Sequence, residues 1–150
     1  MIEPKSDRPR SPLSLAEEKV LLALETLPPE YEVTRGTRLQ FRSGQVEDFP
    51  VSYEPDFEVC GPGGYRVVVE VKSDPSLSLV NLSRFVRINE LIRAAGNGFL
   101  LLVWGGDRLG TRATTMPEFG ALHIRPVKTE SDVVQAVRNE FAATVQLRGN

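Results

Sequence analysis

Apolar residues recur at helical spacing from Leu13 to Leu27, with Val20, Leu21, Leu24 and Leu27 on one stripe. Ser14 stands in place to cap this first helix, and Pro28-Pro29 stops it. The period then changes to two. Tyr31, Val33, Leu39 and Phe41 alternate with polar neighbours up to Arg42, predicting a strand bent at Gly36 and ended by Ser43-Gly44. Ser52–Cys60 and Tyr65–Lys72 are two more β-type runs, joined by Gly61-Pro62-Gly63-Gly64, a composition that supplies the positive backbone angles of a hairpin connection. After Ser73-Asp74-Pro75, the positions of Leu82, Phe85, Ile88, Leu91 and Ile92 predict a second helix over 79–95, ended by Gly96 to Gly98. Phe99–Trp104 is uninterruptedly apolar, the pattern of a strand covered on both faces, and strand, helix, strand in succession implies a parallel crossover. A loop over 105–117 leads to a short strand over 121–125 and a last helix that Thr129 and Asp132 can cap, carrying Val133, Val137 and Phe141.

Helix, three strands in antiparallel meander, crossover helix, strand, strand, helix: this order predicts an α/β sandwich around a mixed central sheet. Residues 13–150 are expected to form one domain, and 1–12, with three prolines and almost no large apolar side chain, a disordered tail. Composition supports a single core, since 41% of the 150 residues are hydrophobic. The single cysteine, Cys60, cannot form an internal disulfide, and no apolar run reaches about 18 residues, so the expectation is a soluble, cytoplasmic chain with no membrane partner. A formal charge of -2 excludes binding to nucleic acid through a uniformly basic surface and leaves only local patches for it.

Candidate chemistry sits on the hairpin. In Glu70-Val71-Lys72 the strand period puts acid and ammonium on one face, roughly 7 Å apart at their Cα atoms, with Val71 turned to the other. If Cys60 pairs with Arg66 across the glycine-rich loop, Asp56 falls opposite Glu70 on that same face, while Phe57, Val59, Val67, Val69 and Val71 take the apolar one. Two carboxylates so close repel, and the conflict is resolved by a shared proton or a divalent cation. Mg²⁺ would accept Asp56, Glu70 and the backbone carbonyl of Val71 and retain waters. Lys72 beside it would orient a water and stabilise developing negative charge, which points to phosphodiester hydrolysis. Glu17 is a candidate fourth member because it shares the stripe of Val20, Leu21 and Leu24; Ser14 to Glu17 is equally a capping box, and Glu18 ranks behind it.

The segments "PDF" at 55–57, "EVK" at 70–72 and "AEEKVLLAL" at 16–24 resemble the PD-(D/E)XK nuclease superfamily, the restriction-endonuclease-like fold, over residues 14–125. The resemblance implies an α-β-β-β-α-β core, here followed by a C-terminal strand and helix. It also implies Glu17, Asp56, Glu70 and Lys72 as catalytic residues, and Mg²⁺ or Mn²⁺ as cofactor for endonucleolytic hydrolysis of DNA. "YEPDFEV" followed by "VVVEVK" looks most like the endonuclease subunit of heteromeric transposases, which usually carries Gln at the position of Glu70; "EVKS" is also similar to archaeal Holliday-junction resolvases. Cutting paired strands or junctions takes two sites, which implies a homodimer or a partner protein subunit. The alternative from another class is a catalytically weak or inactive nuclease-fold subunit that binds DNA or protein within a larger complex.

Phosphate contacts would fall to Arg84 and Arg87 on the second helix and to Arg108 and Arg112 in the long loop. His123 alternates with Leu122 and Ile124 and has no companion for a zinc site; Cys60 has no neighbouring base to activate it.

Overall fold

A computed structural model of the chain describes residues 12–41, 51–73, 78–105 and 116–149. The expected tail over 1–12 (apart from Pro12), the break at Ser43-Gly44, Asp74-Pro75, and most of the 105–117 loop with Arg108 and Arg112 lie outside these residues.

The described elements are α1 (Leu15–Leu24), β1 (Glu32–Arg35), β2 (Leu39–Phe41), β3 (Val51–Tyr53), β4 (Phe57–Cys60), β5 (Arg66–Ser73), α2 (Leu79–Ala94), β6 (Gly98–Trp104), β7 (Ile124–Val127) and α3 (Glu130–Gly149). The protein is α/β, with a mixed five-stranded sheet in the order β1-β4-β5-β6-β7. The β1, β4 and β5 neighbours run antiparallel, and β5, β6 and β7 run parallel. Helices α1 and α3 cover one face, packing Val20, Leu24, Val133 and Val137 on Val67, Val69, Val71, Leu100 and Leu102. Helix α2 covers the other, setting Leu82, Phe85, Ile88 and Ile92 on Val68, Phe99, Leu101 and Val103. Both faces of β6 are thus buried, as its unbroken apolar run requires.

The hairpin register is the expected one: Cys60 pairs with Arg66 and Phe57 with Val69. Gly63 and Gly64 adopt φ of 78° and 77° in the turn, where a side chain would be strained. Thr129 and Asp132 do cap α3: the Thr129 hydroxyl accepts the Asp132 amide (3.1 Å), and the Asp132 carboxylate accepts the amides of Lys128 and Thr129 (2.9 and 3.1 Å).

Three boundaries differ from expectation. Helix α1 ends at Leu24 because Thr26 and Leu27 donate to the carbonyls of Ala23 and Leu24, a tighter turn that precedes Pro28. The last strand begins at Ile124, since Leu122 still belongs to a turn and donates to the Phe119 carbonyl. The third difference is the largest: 31–42 and 52–60 are not two continuous strands. They are β1 and β2, and β3 and β4, with β2 and β3 forming a separate two-stranded sheet.

One register offset nevertheless runs through both halves. Arg35 pairs with Phe57 on one side of the break and Leu39 with Tyr53 on the other, so the long hairpin is folded over at its middle. The fold falls where Gly36 meets Pro55. Pro55 has no N–H to continue a ladder, and a Cβ on Gly36 would lie 2.5 Å from the Pro55 Cγ and 2.7 Å from its carbonyl oxygen. The folded-over half lays Leu39 and Tyr53 onto the α2 face.

A polar cluster around the buried Glu140 and Asn89 ties the opposite end of the sheet together. Arg93 of α2 donates to Glu140 of α3 (2.8 Å), to the carbonyl of Phe99 (3.0 Å) and to Asn89 (2.8 Å). His123 Nδ1 lies 2.5 Å from the other oxygen of Glu140. Burial alone would raise the pKa of Glu140, but the hydrogen bonds and charges of His123 and Arg93 outweigh it and hold the carboxyl below its ordinary value.

Gly36→Ala should lower stability by about 1–3 kcal/mol, because neither the backbone nor the ring of Pro55 can yield to the added methyl. Urea denaturation measures this; a midpoint equal to that of the wild type would contradict the close approach as the cause of the fold-over.

Candidate active site

Strand β5 is central, with β4 on one side and β6 on the other. Alternation along it sends Val67, Val69 and Val71 to the α1/α3 layer and leaves Val68, Glu70 and Lys72 on the α2 side. Glu70 is therefore carried into an apolar layer by its strand and is only 6% exposed. Asp56 precedes β4 and, by continuation of the register, stands opposite Glu70. The two carboxyl groups are close enough to perturb each other's protonation. Asp56 also accepts the amide of Val71 at 2.8 Å, while Pro55, opposite Val71 by the same register, has no N–H to offer the Val71 carbonyl. In an extended strand one residue's N–H and C=O point the same way, so the Val71 carbonyl opens toward Asp56 too. Lys72 Nζ is 3.7 Å from Glu70 Oε2, with its side chain 29% exposed, and lies 5.9 Å from the centre of the Phe85 ring. Asp56, Glu70, Val71 and Lys72 are thus brought together as expected.

The electrostatics follow from burial and mutual repulsion. Burial first, and then the charge of Asp56, push the Glu70 carboxyl up to about 8, against the opposing effects of the Tyr53 hydrogen bond and the Lys72 charge. Asp56 is also raised, chiefly by burial and further by the charge of Glu17, while the Val71 amide pulls it down. At neutral pH the pair holds a proton where two full charges would otherwise face each other.

Glu17 takes the capping alternative. Its carboxylate accepts the Ser14 amide (3.2 Å), and the Ser14 hydroxyl accepts the Glu17 amide (3.2 Å). Its stripe companions Val20 and Leu24 face the sheet side opposite Glu70, so the helical spacing that suggested an inward acid leads to the other layer. Its charge still reaches Asp56 at the strand end. Glu18 is exposed. Glu58, two residues beyond Asp56, is paired with Arg66 at 3.5 Å. Among the described residues, no group of three or more His, Cys, Asp or Glu side chains is placed to hold a metal ion; the donor set is the Asp56–Glu70 pair with the Val71 carbonyl beside it. Of the arginines proposed for phosphate contact, Arg84 stands beside the site, its guanidinium 5.8 Å from the centre of the Tyr53 ring and 3.4 Å from the Ser52 carbonyl. Arg87 is paired with Glu90 at 3.3 Å on the exposed side of α2.

Sequence reasoning missed Tyr53. A continuous strand over 52–60 would give it the parity of Phe57 and Val59, on the face away from the acids. The break at Pro55 reverses that, and the buried Tyr53 hydroxyl donates to Glu70 Oε1 at 2.5 Å. Burial and the neighbouring Glu70 charge hold the phenol well above its ordinary pKa, so it remains a donor. Pro55 was the available signal, since proline interrupts a central strand.

No protein-family model matches the chain, and no curated protein is similar to it at a significant level. No helix among the described residues is long and apolar enough to cross a membrane.

Glu70 gives stability a definite pH dependence. An ordinary glutamate titrates near 4.5 and Glu70 near 8, so between those values the folded chain holds a proton that the unfolded chain has lost. The stabilisation is complete below about 4.5 and disappears as pH rises through about 8. In chelator, the melting temperature of the wild type should fall across that window, and that of Glu70→Gln should fall distinctly less. Parallel curves for the two proteins would contradict the assignment.

Proposed function

We propose that the protein is a Mg²⁺-dependent nuclease with a restriction-endonuclease-like fold of the PD-(D/E)XK type, hydrolysing phosphodiester bonds in DNA. The observation that carries this reading is the buried, mutually perturbing Asp56–Glu70 pair with Lys72 on the same face. The donor set fits a hard divalent cation. Two carboxyl groups that cannot both ionise against each other, and a strand carbonyl opening to the same side, are oxygen ligands that leave positions for water and phosphate. When bound, the ion would lower the pKa of a water and neutralise charge on the phosphoryl oxygens.

The chain's own residues do the rest. Asp56 is fixed by the Val71 amide, so its second oxygen is held in place without cost at the moment of reaction. Lys72, half-buried and resting over Phe85, can hold a water by hydrogen bond and present its positive charge to the phosphate. Arg84, exposed beside the site, is placed to meet the backbone of a bound strand. Cleavage of both strands would need a second copy of the chain or a partner subunit to supply the second site.

One observation favours a second reading, a catalytically weak subunit that binds DNA or protein in a larger complex: Glu17 is engaged in capping and no third carboxylate joins the pair among the described residues. Nuclease assays on linear, single-stranded and branched DNA with Mg²⁺, Mn²⁺ or chelator separate the two. Lys72→Ala and Asp56→Ala should each reduce cation-dependent cleavage on the order of 100-fold or more while circular dichroism shows an intact fold. Retained activity in either variant would sink the assignment, and no cleavage of any substrate by the wild type would favour the binding subunit.

A further inference from the structure

We propose that Tyr53 is a positioning residue that leaves Glu70 a single carboxylate oxygen to offer a cation and thereby sets the cation preference of the site. The inference rests on the reading of Asp56 and Glu70 as metal ligands and goes beyond it.

Tyr53 is only 3% exposed. Its ring makes edge contacts with Phe85 and Phe99, at centroid distances of 6.5 and 6.1 Å, and its backbone is paired with Leu39 of β2. The hydroxyl has little freedom to leave. Turning away would strand both a buried phenol and a buried carboxyl oxygen, at the full cost of desolvating each. Glu70 Oε1 is therefore engaged by Tyr53, and Oε2 is the oxygen that faces Lys72.

That division bears on which ion fits. Mg²⁺ demands near-ideal octahedral geometry and keeps several waters, so one oxygen from Glu70 suffices. Ca²⁺ takes six to eight oxygens and readily accepts both oxygens of one carboxylate. Holding Oε1 out of the coordination sphere removes the option that benefits the larger ion. The β2–β3 half of the folded hairpin is the element that delivers this constraint, since it carries Tyr53 across onto the α2 face.

Tyr53→Phe keeps the ring and removes only the hydroxyl. Calorimetric titration of the full chain with Mg²⁺ and with Ca²⁺, in separate experiments on wild type and variant, reads the ratio of the two dissociation constants. Loss of a hydrogen bond to a charged group should shift that ratio roughly tenfold toward Ca²⁺. An unchanged ratio in a variant that still binds Mg²⁺ overturns the role of Tyr53 and leaves the metal site standing. A wild type that binds neither ion overturns both. If Tyr53→Phe does not fold, the ultraviolet difference spectrum on adding Mg²⁺ to a chain carrying Tyr31→Phe and Tyr65→Phe has Tyr53 as its one tyrosine chromophore. A metal-induced tyrosine band there supports the contact with a ligand, and a flat difference spectrum overturns it.

Discussion

Asp56 and Glu70 are held opposite each other in a layer that excludes most water, and under that constraint they cannot both carry charge unaided. The conflict is built by the strongest features of the fold. Valines at alternate positions commit β5 to burial on both faces, so Glu70 enters the interior as a consequence of strand period. Asp56 is set opposite it by the β4–β5 register and locked by the Val71 amide. Relaxing the repulsion by moving either strand would expose Val67 to Val71 or disrupt Phe57 and Val59, which costs far more than retaining a proton.

The rest of the molecule supports that arrangement from two ends. At the site, the paired segments 31–41 and 51–60 fold over at Gly36 and Pro55, bringing Tyr53 against Glu70 and an aromatic layer beneath it. At the far end of the sheet, Arg93, Asn89, His123 and Glu140 connect α2, α3 and the entry to β7. Glu140 is buried with both oxygens engaged, so the two helical layers are joined around the sheet by charge-assisted hydrogen bonds. Helix α2 is thereby fixed at both ends, by Arg93 near its C-terminus and by packing of Phe85 beneath Lys72.

Much of this was legible in the chain itself because it rests on local periodicity. The parity of Glu70 and Lys72, the glycine turn, the Cys60–Arg66 register and the buried β6 run all follow from patterns a few residues long. What escaped depended on contacts distant in sequence. Tyr53 changed faces because the chain breaks at Pro55, which packs closely on Gly36, nineteen positions away, an approach that only the folded strands reveal. Glu17 offered two roles with the same spacing, and the choice turned on which face of the sheet α1 covers. His123 and Glu140 sit on unremarkable strand and helix patterns and acquire a partner only when α3 packs beside Arg93.

On the proposed reading, a divalent cation replaces the proton that burial and repulsion leave on the Asp56–Glu70 pair. Anomalous diffraction from crystals grown with Mn²⁺ tests it most directly. A peak within coordination distance of both carboxylates and the Val71 carbonyl is the expected result. Well-ordered Asp56 and Glu70 side chains at saturating Mn²⁺, with no peak between them, would contradict it.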